Sequence, residues 1–178
     1  MLVSSSQFPI RVRHMLRTLI LILGLLVALV LLLIAIGYAL PIGHVATRET
    51  TLAAPPERVF SVLRDVEKFP TWRSDVKQVE VLATTPALRW RERGDNDITF
   101  EMETAEPPRK IVTRIADKTL PFGGSWTYEL SPEGGGTRLA ITENGEVYNP
   151  LFRFMSRFVF GHTVTIDRFI EDLGRHLR

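Results

Sequence analysis

The stretch from Thr51 to Trp72, TLAAPPERVFSVLRDVEKFPTW, decides the fold, because it passes from a strand into a helix. Pro55-Pro56-Glu57 opens that helix, since proline is tolerated in a first helical turn and an acidic side chain suits the positive helix end. The residues that follow place valine, phenylalanine and leucine on one face, as an amphipathic helix requires. A second helical piece over Val66 to Trp72 is interrupted by Pro70.

On both sides of this stretch, apolar and polar residues alternate with a period of two, which predicts β-strands. The first strand covers His44 to Ala54. After Asp75 several more runs alternate in the same way, and turn sequences such as Gly94-Asp95-Asn96-Asp97 separate them. Strands joined by short turns predict an antiparallel meander.

The last part of the chain is predicted to be one long amphipathic helix that begins at Pro150 and runs to the C-terminus. At about 100° per residue its apolar side chains form one stripe. The stripe includes Leu151, Met155, Phe158, Val159, His162, Ile166, Phe169, Ile170 and Leu173. The predicted fold class is therefore α+β, with a curved antiparallel sheet laid against a terminal helix.

This order of elements resembles the START-related, birch-pollen-allergen-like superfamily (SRPBCC), and within it the polyketide cyclase/dehydrase group. The resemblance rests on Thr51–Trp72, Gly123–Leu130 and Gly135–Glu143, and it covers Ala46 to Leu177. It implies a helix-grip fold, in which about seven antiparallel strands wrap around the C-terminal helix. It also implies a hydrophobic cavity between the two, which holds a lipid, sterol, polyketide, quinone or similar apolar molecule.

A transmembrane helix is predicted over residues 18–40, because this run has no charged side chain and can cross a hydrocarbon core of about 30 Å. Three arginines precede it, Arg11, Arg13 and Arg17. Residues 1–17 are therefore expected to form a cytoplasmic tail, and the domain at 45–178 to lie on the extracytoplasmic side. A cleaved signal peptide is the alternative, although its apolar part is usually only about 7 to 15 residues long.

Composition excludes several classes of function. The chain has 178 residues and no cysteine, so it contains no disulfide, thiol nucleophile, zinc ribbon or iron–sulfur cluster. It also lacks sequence motifs for a metal, a phosphate or a dinucleotide, and no cofactor is predicted. The net charge of +2 comes from the leader, so nucleic acid is not an expected partner. The expected partners are the lipid bilayer and an apolar small molecule, and the oligomeric state is left open.

Large side chains on the inward faces of the predicted strands and helices are the candidates to line the cavity. They are Trp72, Trp90, Phe100, Met102, Trp126, Tyr128, Phe158 and Phe169. A ligand would be held there by burial, at about 25 cal/mol per Å² of apolar surface removed from water. The alternative is that these side chains simply fill the core.

Polar residues on the same faces are more informative, because burying them without partners is costly. His162, in the helix stripe, either orients a ligand or is a hydrogen-bonded core histidine. Glu143 either points into the cavity beside a base or forms an ion pair at the strand edge. The same two alternatives apply to Glu92. Asp65 is predicted to cap the helix turn, and Trp72 to cover the cavity mouth.

Three functions are compatible with these patterns. The first is membrane-anchored binding or transfer of an apolar molecule without catalysis. The second is a cyclase or dehydratase-like enzyme that uses His162 and Glu143 as acid and base. The third is an interaction or assembly factor whose cavity is vestigial.

Overall fold

The computed structural model describes the backbone of residues 10–161 and 163–178, and the side chains of residues 12–159, 161 and 163–178. It begins with a helix, α1 (Ile10–Ala39). The segment Val12–Ala39 is long and apolar enough to cross a membrane, and its most apolar window of 18 residues has a mean hydropathy of 3.5. A signal sequence near an N-terminus shares this length and composition, so α1 is a candidate membrane span.

Seven antiparallel strands follow and form one sheet in the order β1-β7-β6-β5-β4-β3-β2. The strands are β1 (Gly43–Leu52), β2 (Val76–Ala83), β3 (Arg89–Gly94), β4 (Ile98–Glu106), β5 (Lys110–Ile115), β6 (Phe122–Glu133) and β7 (Gly136–Val147). Strands β2 to β7 form a meander, and β1 pairs with β7. The prediction of a curved, antiparallel sheet of about seven strands around a C-terminal helix is confirmed.

Two helical elements connect β1 to β2, as the opening sequence predicts. Helix α2 (Pro56–Arg64) buries Val59, Phe60 and Leu63 and is followed by a 3₁₀ turn, Val66–Thr71, that contains Pro70. The last helix, α4 (Val164–His176), buries Ile166, Phe169 and Leu173 against the sheet. The sheet and α4 therefore enclose the main core.

The C-terminal helix is shorter than predicted. Helix α3 (Pro150–Met155) runs into a π-helical turn, Ser156–Phe160, which ends at Gly161 with a φ of 76°. Because this left-handed residue interrupts the helix, the apolar stripe does not stay in phase across it. Phe158, which the continuous stripe places inward, is 60% exposed.

The end of α1 is joined to the domain by Arg153, which is buried. Its guanidinium donates to backbone carbonyl oxygens at 2.9–3.1 Å, those of Gly37, Leu40, Val147 and Tyr148. Because the last carbonyls of a helix have no partners within it, Arg153 supplies partners for the end of α1. Gly37 packs so closely on α3 that a Cβ there would lie 1.9 Å from the carbonyl oxygen of Pro150.

Candidate functional site

The space between the sheet and α4 is lined by aromatic side chains, most of which the alternation of the sequence places inward. Trp72, Trp90, Met102, Tyr128 and Phe169 are buried, and Phe100 and Trp126 are half-buried. The Phe169 ring lies at the centre, with centroid distances of 5.4 Å to Trp72, 5.5 Å to Tyr128 and 6.0 Å to Trp126. Such tilted and edge-on contacts stabilise the cluster beyond simple burial.

These rings are in contact across the region where the sequence predicts an open cavity. Two depressions lie elsewhere. One of about 360 Å³ is lined by Phe60, Ser61, Arg64, Asp65 and Pro107, and one of about 230 Å³ lies on α1. In the region enclosed by the sheet and α4, Phe169 packs against Trp72, Trp126 and Tyr128, so a guest at that place must displace rings.

Two predicted site residues stand apart from this layer. Phe158 lies on the π-helical turn, with its ring 5.0 Å from that of Phe154, and it faces outward instead of lining the interior. The break at Gly161 is the physical reason, because it separates this turn from α4. His162 lies outside the described residues.

At one side of the ring cluster lies a closed polar group formed by Arg73 and Glu92. One carboxylate oxygen of Glu92 accepts from the Arg73 guanidinium at 3.0 Å and from the Trp90 indole N–H at 2.9 Å. Arg73 also donates to Asp75 at 2.7 Å and lies over the rings of Phe69 and Phe169. Each charge in this group therefore has an oppositely charged partner.

The electrostatics of this group follow from its burial. Burial raises the pKa of Glu92, and the Arg73 charge and the Trp90 hydrogen bond oppose that shift. Burial also disfavours the charge on Arg73, but the nearby carboxylates of Glu92 and Asp75 outweigh it and raise the Arg73 pKa. A buried ion pair with additional hydrogen bonds is a structural arrangement rather than a reactive one.

Near the junction with α1 lies a second polar group, formed by Glu143 on β7 and His44 on β1. Their side chains meet with Glu143 Oε1 3.3 Å from His44 Nε2, and they are 17% and 16% exposed. Gly145 leaves room for this contact, because a Cβ there would lie 2.2 Å from the imidazole of His44. Glu143 is also the cross-strand neighbour of Trp126, so it lies on the inward face beside the rings.

Burial shifts the pKa values of both groups toward their neutral forms. Burial raises the pKa of Glu143 to about 7, and the nearby Thr165 hydroxyl opposes the shift. Burial also lowers the pKa of His44. A carboxyl group that titrates near neutrality, next to a neutral imidazole, can donate or accept a proton at physiological pH.

Two buried polar atoms of the inner layer lack a hydrogen-bond partner among the described residues. They are the indole Nε1 of Trp72, a donor, and Oε2 of Glu143. The first lies near the end of α4, where Trp72 stacks on His176, and the second lies beside Trp126. Leaving such an atom unsatisfied costs about 1–3 kcal/mol.

The remaining predicted residues have structural positions. Asp65 joins α2 to the 3₁₀ turn, but it caps α2 with its backbone N–H and makes no side-chain cap bond. Trp72 is buried in the ring cluster. Neither Arg73 nor His44 is predicted from the sequence as a site residue, because neither lies at a periodic position that distinguishes it. Their roles depend on which strands become neighbours.

The fold and its ring-lined interior define a START-like helix-grip protein. The family model for polyketide cyclase / dehydrase and lipid transport matches residues 44–177, most of the chain. The chain therefore belongs to this family, within the SRPBCC superfamily. No curated protein matches the sequence.

Solved structures share the fold. A START superfamily protein from Mycobacterium smegmatis has a TM-score of 0.61 at 17% identity, over 75% of this chain and 97% of that one. A protein from Thermus thermophilus has a TM-score of 0.64 at 22% identity, with the same coverage. The di-domain ARO/CYC StfQ of the steffimycin biosynthetic pathway has a TM-score of 0.61 at 13% identity, over 76% of this chain and 51% of that one. At these identities the similarity establishes the fold.

Proposed function

We propose that this protein binds an apolar small molecule or lipid between its sheet and α4. The observation that carries this proposal is a pair of buried atoms, Trp72 Nε1 and Glu143 Oε2, that have no hydrogen-bond partner among the described residues and lie in a layer rich in aromatic rings. A guest with an apolar body and a polar group would satisfy one or both atoms and replace ring contacts with its own. Membership of a family described by polyketide cyclase/dehydrase activity and lipid transport supports the same ligand class.

The guest must be accommodated by movement of the rings, because Phe169 and its aromatic neighbours are in contact. Phe169 is the side chain to move, since its ring contacts those of Trp72, Trp126 and Tyr128. Met102, in the same layer, has an unbranched thioether that adapts its shape easily. Ligand specificity would then come from the polar atoms, because apolar contact discriminates weakly between similar shapes.

The test is native mass spectrometry of the full chain released from detergent micelles, with oleic acid and menadione as added probes. Wild-type protein is expected to carry a bound apolar molecule or to take up at least one probe. Phe169→Trp, which adds volume at the centre of the layer, is expected to lose that mass. Leu82→Trp is the matched control on an exposed apolar residue and should retain it. A folded wild-type protein that carries and takes up nothing would contradict the proposal.

We also propose that α1 is an uncleaved anchor, with residues 1–17 in the cytoplasm and the domain on the other side of the membrane. The Arg153 contacts favour an anchor over a cleaved signal. Removal of α1 would leave this buried guanidinium without the carbonyl group of Gly37. Intact mass of the membrane-extracted protein tests cleavage, and a reporter fused after Arg178 tests orientation. A mass that lacks α1 would overturn the uncleaved anchor. Reporter activity only in the cytoplasm would overturn the proposed orientation.

A second candidate function is acid–base catalysis of dehydration, and the contact between His44 and Glu143 favours it. His44 would remove the proton from the carbon next to a carbonyl, and protonated Glu143 would give a proton to the departing hydroxyl group, so that water leaves. A 3-hydroxyacyl thioester of N-acetylcysteamine is the probe, and loss of water is measured by mass spectrometry. Glu143→Gln should abolish turnover while the exposed control Glu49→Gln retains it. No turnover by wild-type protein would reject this alternative.

A further inference from the structure

Exposed apolar side chains are concentrated where the domain meets α1. Apart from Leu82 on β2, the large apolar side chains that are exposed among the described residues past α1 all lie in residues 42–45 or 148–164. We call Ile42, Phe152, Phe158 and Val159 the junction patch; these four are 50–60% exposed. Single exposed apolar residues are ordinary on a protein surface, but a group of them confined to one end marks an interaction site.

The position of α3 relative to α1 shows what this patch meets. Helix α1 is exposed along most of its length, but Leu33, Ile34 and Ile36 are half-buried and Gly37 is buried, at the end that packs on α3. At 1.5 Å per residue, Leu33 lies about 10 Å before the end of the apolar run at Leu40. If α1 spans the bilayer, the segment that covers these residues lies at the depth of the outer acyl chains and the headgroups.

The charge pattern of the segment fits that depth. From Val147 to Ile166 the sequence contains no acidic residue, and its two arginines are Arg153 and Arg157. Arg153 is buried on backbone carbonyls, whereas Arg157 is exposed. Aromatic and aliphatic side chains next to an exposed arginine, without acids, are the composition of helices that lie in a membrane interface and contact anionic lipids.

We infer that α3 and the π-helical turn, residues 150–160, lie in the lipid–water interface, so that the junction patch contacts the bilayer and the His44–Glu143 end of the grip faces it. His44 follows the end of α1 by only a short connection, and Glu143 lies near the end of β7, which leads directly into α3. An apolar guest would then pass between the acyl chains and the grip without crossing bulk water. The inference rests on α1 being the proposed anchor.

The test uses the full chain in vesicles of phosphatidylcholine and phosphatidylglycerol at a ratio of about 3:1. Because the protein has no cysteine, single variants can be spin-labelled without background, at Phe158→Cys and Val159→Cys on the patch. Leu82→Cys is the matched control, an exposed apolar residue on the edge strand farthest from β1 in the sheet. Leu29→Cys, in the middle of α1, gives the reference for lipid depth.

Accessibility to oxygen, which concentrates in lipid, is compared with accessibility to a water-soluble nickel chelate. At least one patch label is expected to match the lipid reference, with nickel accessibility several-fold below that of the Leu82 label. Nickel accessibility equal to the Leu82 label at both patch positions overturns the inference. Because this readout needs no ligand, a lipid-like signal without a bound apolar molecule would reject the proposed function and leave the interfacial placement standing.

Discussion

Glu92 and Glu143 are both carboxylates on the inward face of the same sheet, but their surroundings differ. Glu92 receives a guanidinium and an indole N–H, so its charge is compensated inside the protein. Glu143 meets an imidazole whose pKa burial lowers, and its Oε2 has no partner among the described residues. The comparison shows that burial alone does not make a carboxylate functional. The number and charge of its donors decide whether its charge is compensated inside the protein.

The largest expected effect on the free energy of unfolding comes from removing the guanidinium that compensates the charge of Glu92. Arg73→Met leaves Glu92 as an uncompensated buried charge and should lower the free energy of unfolding by about 3–5 kcal/mol. Urea unfolding of the full chain in detergent, followed by tryptophan fluorescence, measures it, since all three tryptophans lie in the domain. The double variant Arg73→Met/Glu92→Gln should recover much of the loss. Arg89→Met, in an exposed pair with Glu101, is the control and should change stability by less than about 1 kcal/mol.

An intermediate effect on stability is expected from replacing Glu143, and it raises the free energy of unfolding instead of lowering it. Its pKa in the folded protein, about 7, exceeds the ordinary 4.5, so between these pH values the folded state holds a proton that the unfolded chain has lost. Stability contributed by this group is therefore present below about pH 4.5 and is lost as the pH rises to about 7. Glu143→Gln should be more stable than wild type by about 2 kcal/mol at pH 8 and equal to it near pH 4.

Urea unfolding at the two pH values measures this difference, with the exposed Glu49→Gln as control. Protonation of His44 acts in the opposite direction, because its folded pKa is lowered and its protonation costs stability as the pH falls through the range below 6.5. His44 is present in both proteins, so the comparison isolates the carboxyl group. A constant difference between the two proteins at all pH values would show that Glu143 is not held neutral.

The smallest expected effect on the free energy of unfolding comes from Gly145→Ala. The added Cβ would lie 2.2 Å from the His44 ring, which can turn away at a cost of about 1 kcal/mol or less because it is the end of a side chain. Once turned toward solvent, His44 should lose the burial that lowers its pKa, and its pKa should rise toward 6.5. NMR titration of the imidazole signals measures the shift. An unchanged His44 titration would mean that the contact with Glu143 does not depend on the space at Gly145.

Much of this arrangement follows from the sequence, because a period of two assigns each strand residue to a face. Trp90, Phe100, Met102, Trp126 and Tyr128 therefore lie inward, as predicted. The same period indicates that Glu92 and Glu143 face the core. It does not indicate their partners, because Arg73 lies in a turn and His44 reaches Glu143 only through the pairing of the first and last strands.

The helical prediction fails where a single backbone conformation overrides the periodicity. A 3.6-residue repeat places Phe158 and Phe169 on the same face only if one continuous helix contains both. The left-handed Gly161 interrupts the helix between them, so Phe158 is exposed. The open cavity was expected from the family resemblance. How far ring side chains fill such a gap depends on rotamers and contacts that no pattern of residue types specifies.

The domain is not free to rotate about the end of α1, as it would be on a flexible tether. Gly37 lies in close contact with Pro150, and Arg153 donates hydrogen bonds to the carbonyl oxygens of Gly37 and Leu40. If α1 is the proposed anchor, its tilt in the membrane sets the orientation of the whole seven-stranded domain. Helix tilt responds to the thickness of the hydrocarbon layer. A thinner or thicker bilayer would therefore rotate the sheet relative to the lipid surface, which would couple membrane composition to the accessibility of the grip.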